Sequence, residues 1–173
     1  MSDPFGQIIA AEGLQVAPAI RDMHRGGVFD GSADIDHGRG PLVRALLRAA
    51  GMPPPGRAVP LRLEIRPDAD GAWWTRDFGG HRTRSRLERR AGLVLESFGP
   101  FAVAMRLTAD ADALVITVAR GRMLGLPVPG ALAPRSTSRE WQDSRGRLNF
   151  DISATVPFGG LLIRYRGTLV RTG

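Results

Sequence analysis

Residues 72–86, AWWTRDFGGHRTRSR, decide the fold. Bulky residues alternate with polar ones on both sides of Gly79-Gly80, and a glycine pair supplies the positive-φ positions of a tight hairpin turn. If those two glycines are the whole turn, Phe78 faces His81 and cross-strand partners have numbers summing to 159. One face then carries Ala72 with Leu87, Trp74 with Ser85, Arg76 with Thr83, and Phe78 with His81. The other carries Trp73 with Arg86, Thr75 with Arg84, and Asp77 with Arg82. The face holding Trp74, Phe78 and Leu87 looks inward, so Arg76, His81, Thr83 and Ser85 go in with it. A guanidinium among aromatics needs a partner, because burying it alone is costly. That partner is either a carboxylate of this chain, with Glu96, Glu140 and Asp151 as candidates, or the polar end of a ligand, with Thr83 and Ser85 as further donors. The three arginines of the other face belong to solvent, and the aspartates Asp30, Asp34 and Asp36 of a neighbouring strand are expected to lie against them.

The same period of two continues through residues 59–173. Segments VPLRLEIR, LVLESF, FAVAMRLT, ALVITVAR, RSTSREWQ, RLNFDISATVPF and LLIRYRGTLV are separated by turn residues such as PDADG, ADAD, DSRG and Gly159-Gly160. Short turns make neighbours antiparallel. About ten strands in a meander are too many for a flat sheet with one dry face, so the sheet curls or closes into a barrel. A two-residue turn at Gly159-Gly160 pairs Phe150, Ile152, Ala154, Val156 and Phe158 with Leu169, Gly167, Tyr165, Ile163 and Leu161, an apolar wall with Tyr165 as its polar tip. It leaves Arg164 beside Thr155 and Arg166 beside Ser153 on the outer face. One connection, GRMLGLPVPGALAP at 121–134, lacks alternation. It is expected either to pack on the barrel wall or to serve as a lid carrying Met123, Leu124, Leu126 and Val128.

Before the meander the pattern is mixed. Residues 1–25 have a broken apolar periodicity interrupted by Gly13 and Pro18, which predicts short helices. In GVFDGSADIDHG, Phe29, Ala33 and Ile35 alternate with acidic residues, which predicts a strand with an acidic outer face. GPLVRALLRAAG then starts with proline and ends with glycine around an apolar stripe, which predicts a helix near 41–51. The whole of 1–173 reads as one mainly β domain: short helices to 25, strand plus helix over 26–58, and the meander.

Composition narrows the chemistry. The chain has no cysteine and no lysine, so thiolate nucleophiles, disulfides, thiolate zinc sites and Schiff-base amines are unavailable, and all 24 basic residues are arginine. The net charge of +7 is spread along the chain without a basic cluster interleaved with aromatics, so a nucleic-acid partner is not expected. No apolar run is long enough to span a membrane, and the N-terminus lacks the basic start and apolar stretch of a signal peptide, so a cytoplasmic location is expected. His24, His37 and His81 are in no metal-ligand spacing, and neither a GxSxG elbow nor a GxGxxG loop occurs. No metal, cofactor or catalytic residue is therefore expected, although His81 beside Ser85 and Glu88 is the one place for an acid or base.

The stretches GVFDGSADIDHGRGPLVRALLRAAGMPPPG, WTRDFGGHRTRSRL, FGPFAVAMRL, GRMLGLPVPGALAPRSTSREW and LLIRYRG resemble an uncharacterised bacterial family, the domain of unknown function numbered 4166. The resemblance covers about residues 26–168. It implies that Trp74, Arg76, Phe78 and Ser85 are recurring positions, and that the domain is an accessory to an NAD(P)-binding dehydrogenase-like partner. The aspartates Asp30, Asp34 and Asp36 depart from a pattern in which basic residues are more usual. Taken together, the residues point to a non-catalytic pocket for a small amphipathic ligand such as a fatty-acid-like carboxylate, built from Trp74, Arg76, Phe78, His81, Thr83, Ser85 and Tyr165. An enzyme using the same pocket and a dehydrogenase-associated interaction module are the alternatives.

Overall fold

Gly79 and Gly80, at φ of 60° and 99°, form the two-residue turn between β3 (Gly71–Phe78) and β4 (His81–Arg90). Phe78 pairs with His81 and the register runs unbroken to Gly71 with Glu88. In this computed structural model, which describes residues 3–157 and 160–173, the hairpin is one unit of a closed antiparallel barrel. The remaining strands are β1 (Gly27–His37), β2 (Gly56–Pro67), β5 (Leu93–Phe98), β6 (Phe101–Asp110), β7 (Ala113–Met123), β8 (Leu126–Pro127), β9 (Arg135–Gln142), β10 (Leu148–Val156) and β11 (Gly160–Arg171). The ring passes through the strands in chain order, omits β8, and closes by pairing β11 with β1. At that closing seam a Cβ on Gly31 would stand 1.8 Å from the Thr168 carbonyl oxygen, and one on Gly167 would stand 2.0 Å from that of Ser32. Glycine at both positions lets first and last strands approach.

Hairpin connectivity sorts the turns onto two ends. One end holds the turns after β2, β4, β6 and β9, together with α1 (Pro4–Ala11) and α2 (Pro18–His24). Asp3 caps α1 by accepting from the Gly6 N–H at 2.8 Å, and Pro4 occupies the first helical position, where its missing N–H costs nothing. Phe5, Ile8 and Ile9 of α1 and Ile20 and Met23 of α2 are buried in the barrel core, so these helices plug this end. The opposite rim holds the turns after β3, β5, β7 and β10, and α3 (Pro41–Ala49). Helix α3 stops two residues short of the expected 51. It turns Val43 and Leu47 inward and leaves Leu42 exposed.

Three sequence expectations are corrected. The segment from residue 121 is not all loop: β7 continues through Met123, turns at Leu124-Gly125 with φ of 52° and 79°, and returns as β8, leaving 128–134 irregular. The β10–β11 register is shifted by two, with Phe150 opposite Gly167, Ile152 opposite Tyr165 and Ala154 opposite Ile163. Gly160 belongs to β11 and pairs with Val156, and an irregularity between Ala154 and Thr155 then absorbs one extra residue on β11; the two displacements together leave parity and the inward face intact while the partners change. Arg164 accordingly lies opposite Ser153 and Arg166 opposite Asp151; Phe158 and Gly159 lie outside the described residues. Finally, the acidic row of β1 meets β2 and β11, with Asp36 on Arg57 and Asp30 on Arg62, rather than the arginines of β4. Arg86 is held instead by Asp68, Arg82 by Asp77, and Arg84 stacks 4.0 Å from the Trp73 ring centroid.

Candidate functional site

Strand parity turns Arg76 into the barrel between Trp74 and Phe78. Its Nη1 donates to Ser85 Oγ at 2.9 Å, its Nη2 donates to Glu96 Oε1 at 3.1 Å, and its Cζ stands 4.9 Å from the Trp74 ring centroid. Of the three carboxylates open from sequence, Glu96 is therefore the partner. Glu140 points inward elsewhere, against His24, and Asp151 holds Arg164 outside. The Arg76 and Glu96 side chains are 18% and 17% exposed, so neither is sealed from water.

Burial along the inner wall is graded. Toward the plug, Ile65, Leu87, Val94, Leu107, Leu114 and Leu148 are fully buried. Toward the rim, on the arc from β4 through β10, the inward Thr83, Glu96, Val103, Val118, Ile152 and Ala154 are only half-buried. Across the barrel Tyr165 presents its ring edge-on to Phe78 and Phe150, with centroids 6.1 and 6.3 Å away. Burial pushes the Tyr165 phenol above its ordinary range; the Arg76 charge opposes that rise, while Glu96 and Glu140 add to it. A tyrosine that feels all three charges shares their interior and stays a neutral donor at physiological pH.

The structure brings Trp74, Arg76, Phe78, Thr83, Ser85 and Tyr165 to one interior. Ser85 is fully buried and committed to Arg76, and Trp74 is covered by the Phe5 ring at 5.7 Å. His81 has a different contact: its Nε2 meets the Gly51 carbonyl oxygen at 2.9 Å, and His37 Nε2 meets that of Pro53 at 2.8 Å. These two histidines pin the loop after α3 to the rim. Met123, Leu124 and Leu126 stand out in solvent at the rim, and only Val128 is half-buried.

Sequence reasoning missed a buried pair. His24 Nε2 lies 2.8 Å from Glu140 Oε2, with the imidazole stacked 3.9 Å from the Phe5 ring, and its Nδ1 has no hydrogen-bond partner among the described residues. The pair ties α2 to β9 across 116 residues, and nothing local in either segment announces it. Two grooves open on the outer wall: one of about 670 Å³ around Trp141, Arg139 and Asp151, the other of about 380 Å³ around Trp73, Arg84 and Glu64. Their floors carry arginine–carboxylate pairs that satisfy each other. No group of three or more His, Asp or Glu side chains is placed to hold a metal among the described residues.

Solved structures similar to this one include apo lipid binding protein 8 of Caenorhabditis elegans, with TM-score 0.42 and 12% identity over 84% of this chain and 94% of that one. Another is the zebrafish ileal bile acid-binding protein complexed with cholic acid, with TM-score 0.39 and 14% identity over 86% and 98%. No curated protein matches the sequence. The family model described as "Domain of unknown function (DUF4166)" matches residues 16–169, which span the barrel from before α2 nearly to the end of β11, and the chain belongs to that family.

Proposed function

We propose that the barrel binds a small amphipathic molecule in the rim half of its interior. The observation that supports this is the burial gradient: inward side chains are sealed at the plug, yet keep water-accessible surface from Thr83 and Glu96 round to Ile152 and Ala154. That open part combines aliphatic surface from Val103, Val118, Ile152 and Ala154 with a few convergent polar groups, the composition expected of a small-molecule site. Arg76, Thr83 and Tyr165 supply donors, and Glu96 supplies an acceptor.

The Arg76–Glu96 pair decides which polar end fits. With Glu96 already 3.1 Å from the guanidinium, an incoming carboxylate would sit beside a like charge or displace it. An uncharged hydroxyl or carbonyl end takes a hydrogen bond from the pair without that repulsion. The favoured class is thus a lipid-like molecule with a neutral polar head, and a fatty-acid-like anion is second. Displacement of an environment-sensitive fluorescent lipid by a long-chain fatty alcohol and by the fatty acid of equal length tests this. The alcohol should bind tighter to the wild-type protein. Glu96→Gln should reverse the order, and Arg76→Leu should weaken both while the chain stays folded. Equal affinities in all three proteins would overturn the assignment of the head-group site. No displacement by either ligand, with no lipid found by mass spectrometry of the gently purified protein, would overturn the pocket itself.

A further inference from the structure

The two ends of the barrel differ in charge as well as in closure. At the plug, carboxylates occupy or border every turn: Asp68 and Asp70 after β2, Glu88 before the turn after β4, Asp110 and Asp112 after β6, and Asp143 after β9. Of the rim turns, the one after β3 keeps Asp77, which accepts from the Gly80 N–H at 2.7 Å, but Gly99-Pro100 and Leu124-Gly125 carry no carboxylate, and no acidic residue occurs in 38–63, 97–109 or 113–139. Those three segments contain α3, the first part of β2, the end of β5, all of β6 but Asp110, all of β7 and β8, and the first part of β9. They are contiguous along the rim: Leu124 N–H donates to the Pro100 carbonyl at 2.8 Å, and a Cβ on the adjacent Gly99 would lie 3.5 Å from the Ala49 carbonyl of α3.

This acid-free arc also carries the exposed apolar surface. Among the described residues six large hydrophobic side chains are exposed, and five of them, Leu42, Met123, Leu124, Leu126 and Leu132, are here. Leu124 is 76% exposed and takes a left-handed backbone, a position where a hairpin tip ordinarily has asparagine or glycine. Around them Arg39, Arg44, Arg48, Arg120, Arg122 and Arg135 are all exposed, and among the described residues none is paired with a carboxylate.

We infer that this rim docks on an anionic lipid surface, with Leu124 and Leu126 at the hairpin tip and Leu42 of α3 entering the head-group layer and the six arginines meeting lipid phosphates. Protruding aliphatic tips set in a ring of cations match the two components of an interface, apolar at depth and negative at its surface. An acidic protein partner would satisfy the arginines but leaves the scattered leucine tips without a pocket. A nucleic acid would require exposed aromatic stacking groups, and those of the outer wall, Trp73 and Trp141, stand in the grooves among paired charges. Docking here would set the open half of the interior against the lipid phase. The inference goes beyond ligand binding and does not depend on it.

Co-sedimentation of the full chain with vesicles tests it, using pure phosphatidylcholine and phosphatidylcholine mixed with phosphatidylglycerol. The wild-type protein should partition onto the mixed vesicles, and raised salt should release it. The double variant Leu124→Asp, Leu126→Asp should lose partitioning, and Arg120→Gln and Arg122→Gln should each weaken it roughly fivefold. Val170→Asp, at an exposed apolar position on the plug end, should change nothing. The inference is overturned if the wild-type protein ignores mixed vesicles, if it binds both compositions equally, if Val170→Asp weakens it as much as the tip variant, or if it prefers a single-stranded oligonucleotide to the vesicles. Vesicle binding is read with no ligand added, so it succeeds or fails separately from lipid displacement.

Discussion

The plug end and the rim end of the barrel are built from the same alternating strands, yet one is a core and the other is an opening. At the plug, two helices bring Phe5, Ile8, Ile9, Ile20 and Met23 onto inward faces that already carry Leu87, Val94 and Leu114. At the rim, α3 covers one side through Val43 and Leu47, and the inward side chains of the opposite arc remain half-open. A ten-stranded ring is too wide for its own side chains alone to fill throughout, so the end that no pair of helices fills keeps its inward side chains half-exposed. The difference teaches that one wall can be packed as a core at one end and left partly exposed at the other.

The largest effect that would break this comparison is removal of the plug's ring stack. Phe5 stacks on both His24 and Trp74, whose own ring centroids are 5.4 Å apart, and is 3% exposed, so Phe5→Ala should cost about 3–5 kcal/mol in urea unfolding. A loss below about 1 kcal/mol would mean that α1 is an ornament on a self-sufficient barrel. A sharper, smaller contrast comes from truncating one aliphatic at each end. Leu114→Ala removes a side chain with 0% exposure and should cost about 2–5 kcal/mol, whereas Ile152→Ala on the half-open arc should cost under about 1.5 kcal/mol. Equal losses would show the rim half to be packed as tightly as the plug.

The smallest effect concerns acid. Two Arg86 N–H groups and the backbone N–H groups of Asp70 and Gly71 donate to Asp68, and its carboxyl is pulled down to about 2, chiefly by Arg86. Asp143 is likewise pulled down to about 2, first by the Arg147 backbone N–H. A carboxyl held below its ordinary value stabilises the fold above about pH 4, and that contribution fades as pH falls toward about 2. Asp68→Asn should therefore lower thermal stability at neutral pH, with the gap from wild type closing across that window. Both turns lie at the plug, whereas at the rim the Gly99-Pro100 and Leu124-Gly125 turns contain no carboxylate. A gap that stays constant with pH would remove the charged turn from the account.

Much of the wall was legible before any coordinates. Gly79-Gly80 sets the β3–β4 register because a two-residue turn leaves no choice of partners, and parity then turns Trp74, Arg76 and Phe78 inward. The same reasoning at Gly159-Gly160 missed the β10–β11 partners by two, because Gly160 already pairs with Val156 as part of β11 and the irregularity between Ala154 and Thr155 then gives one residue back, which restores the parity. The 121–134 segment misled in another way, since Met123, Leu124 and Leu126 form a short hairpin with no burial to impose alternation.

Local chemistry by itself determined the strands, the helix beginning at Pro41, the inward face and the demand that Arg76 find a partner, since each depends on residues a few positions apart. Only the tertiary structure decided that Glu96 meets that demand, that His24 and Glu140 close the plug, and that α3 meets the acid-free β5–β6 and β7–β8 turns along one arc of the rim. Those facts depend on which strands the ring places side by side and on which end each turn falls. Spacing along the chain does not encode a contact between residues 24 and 140, and turns that alternate along the chain are gathered together when every second one is sent to the same end.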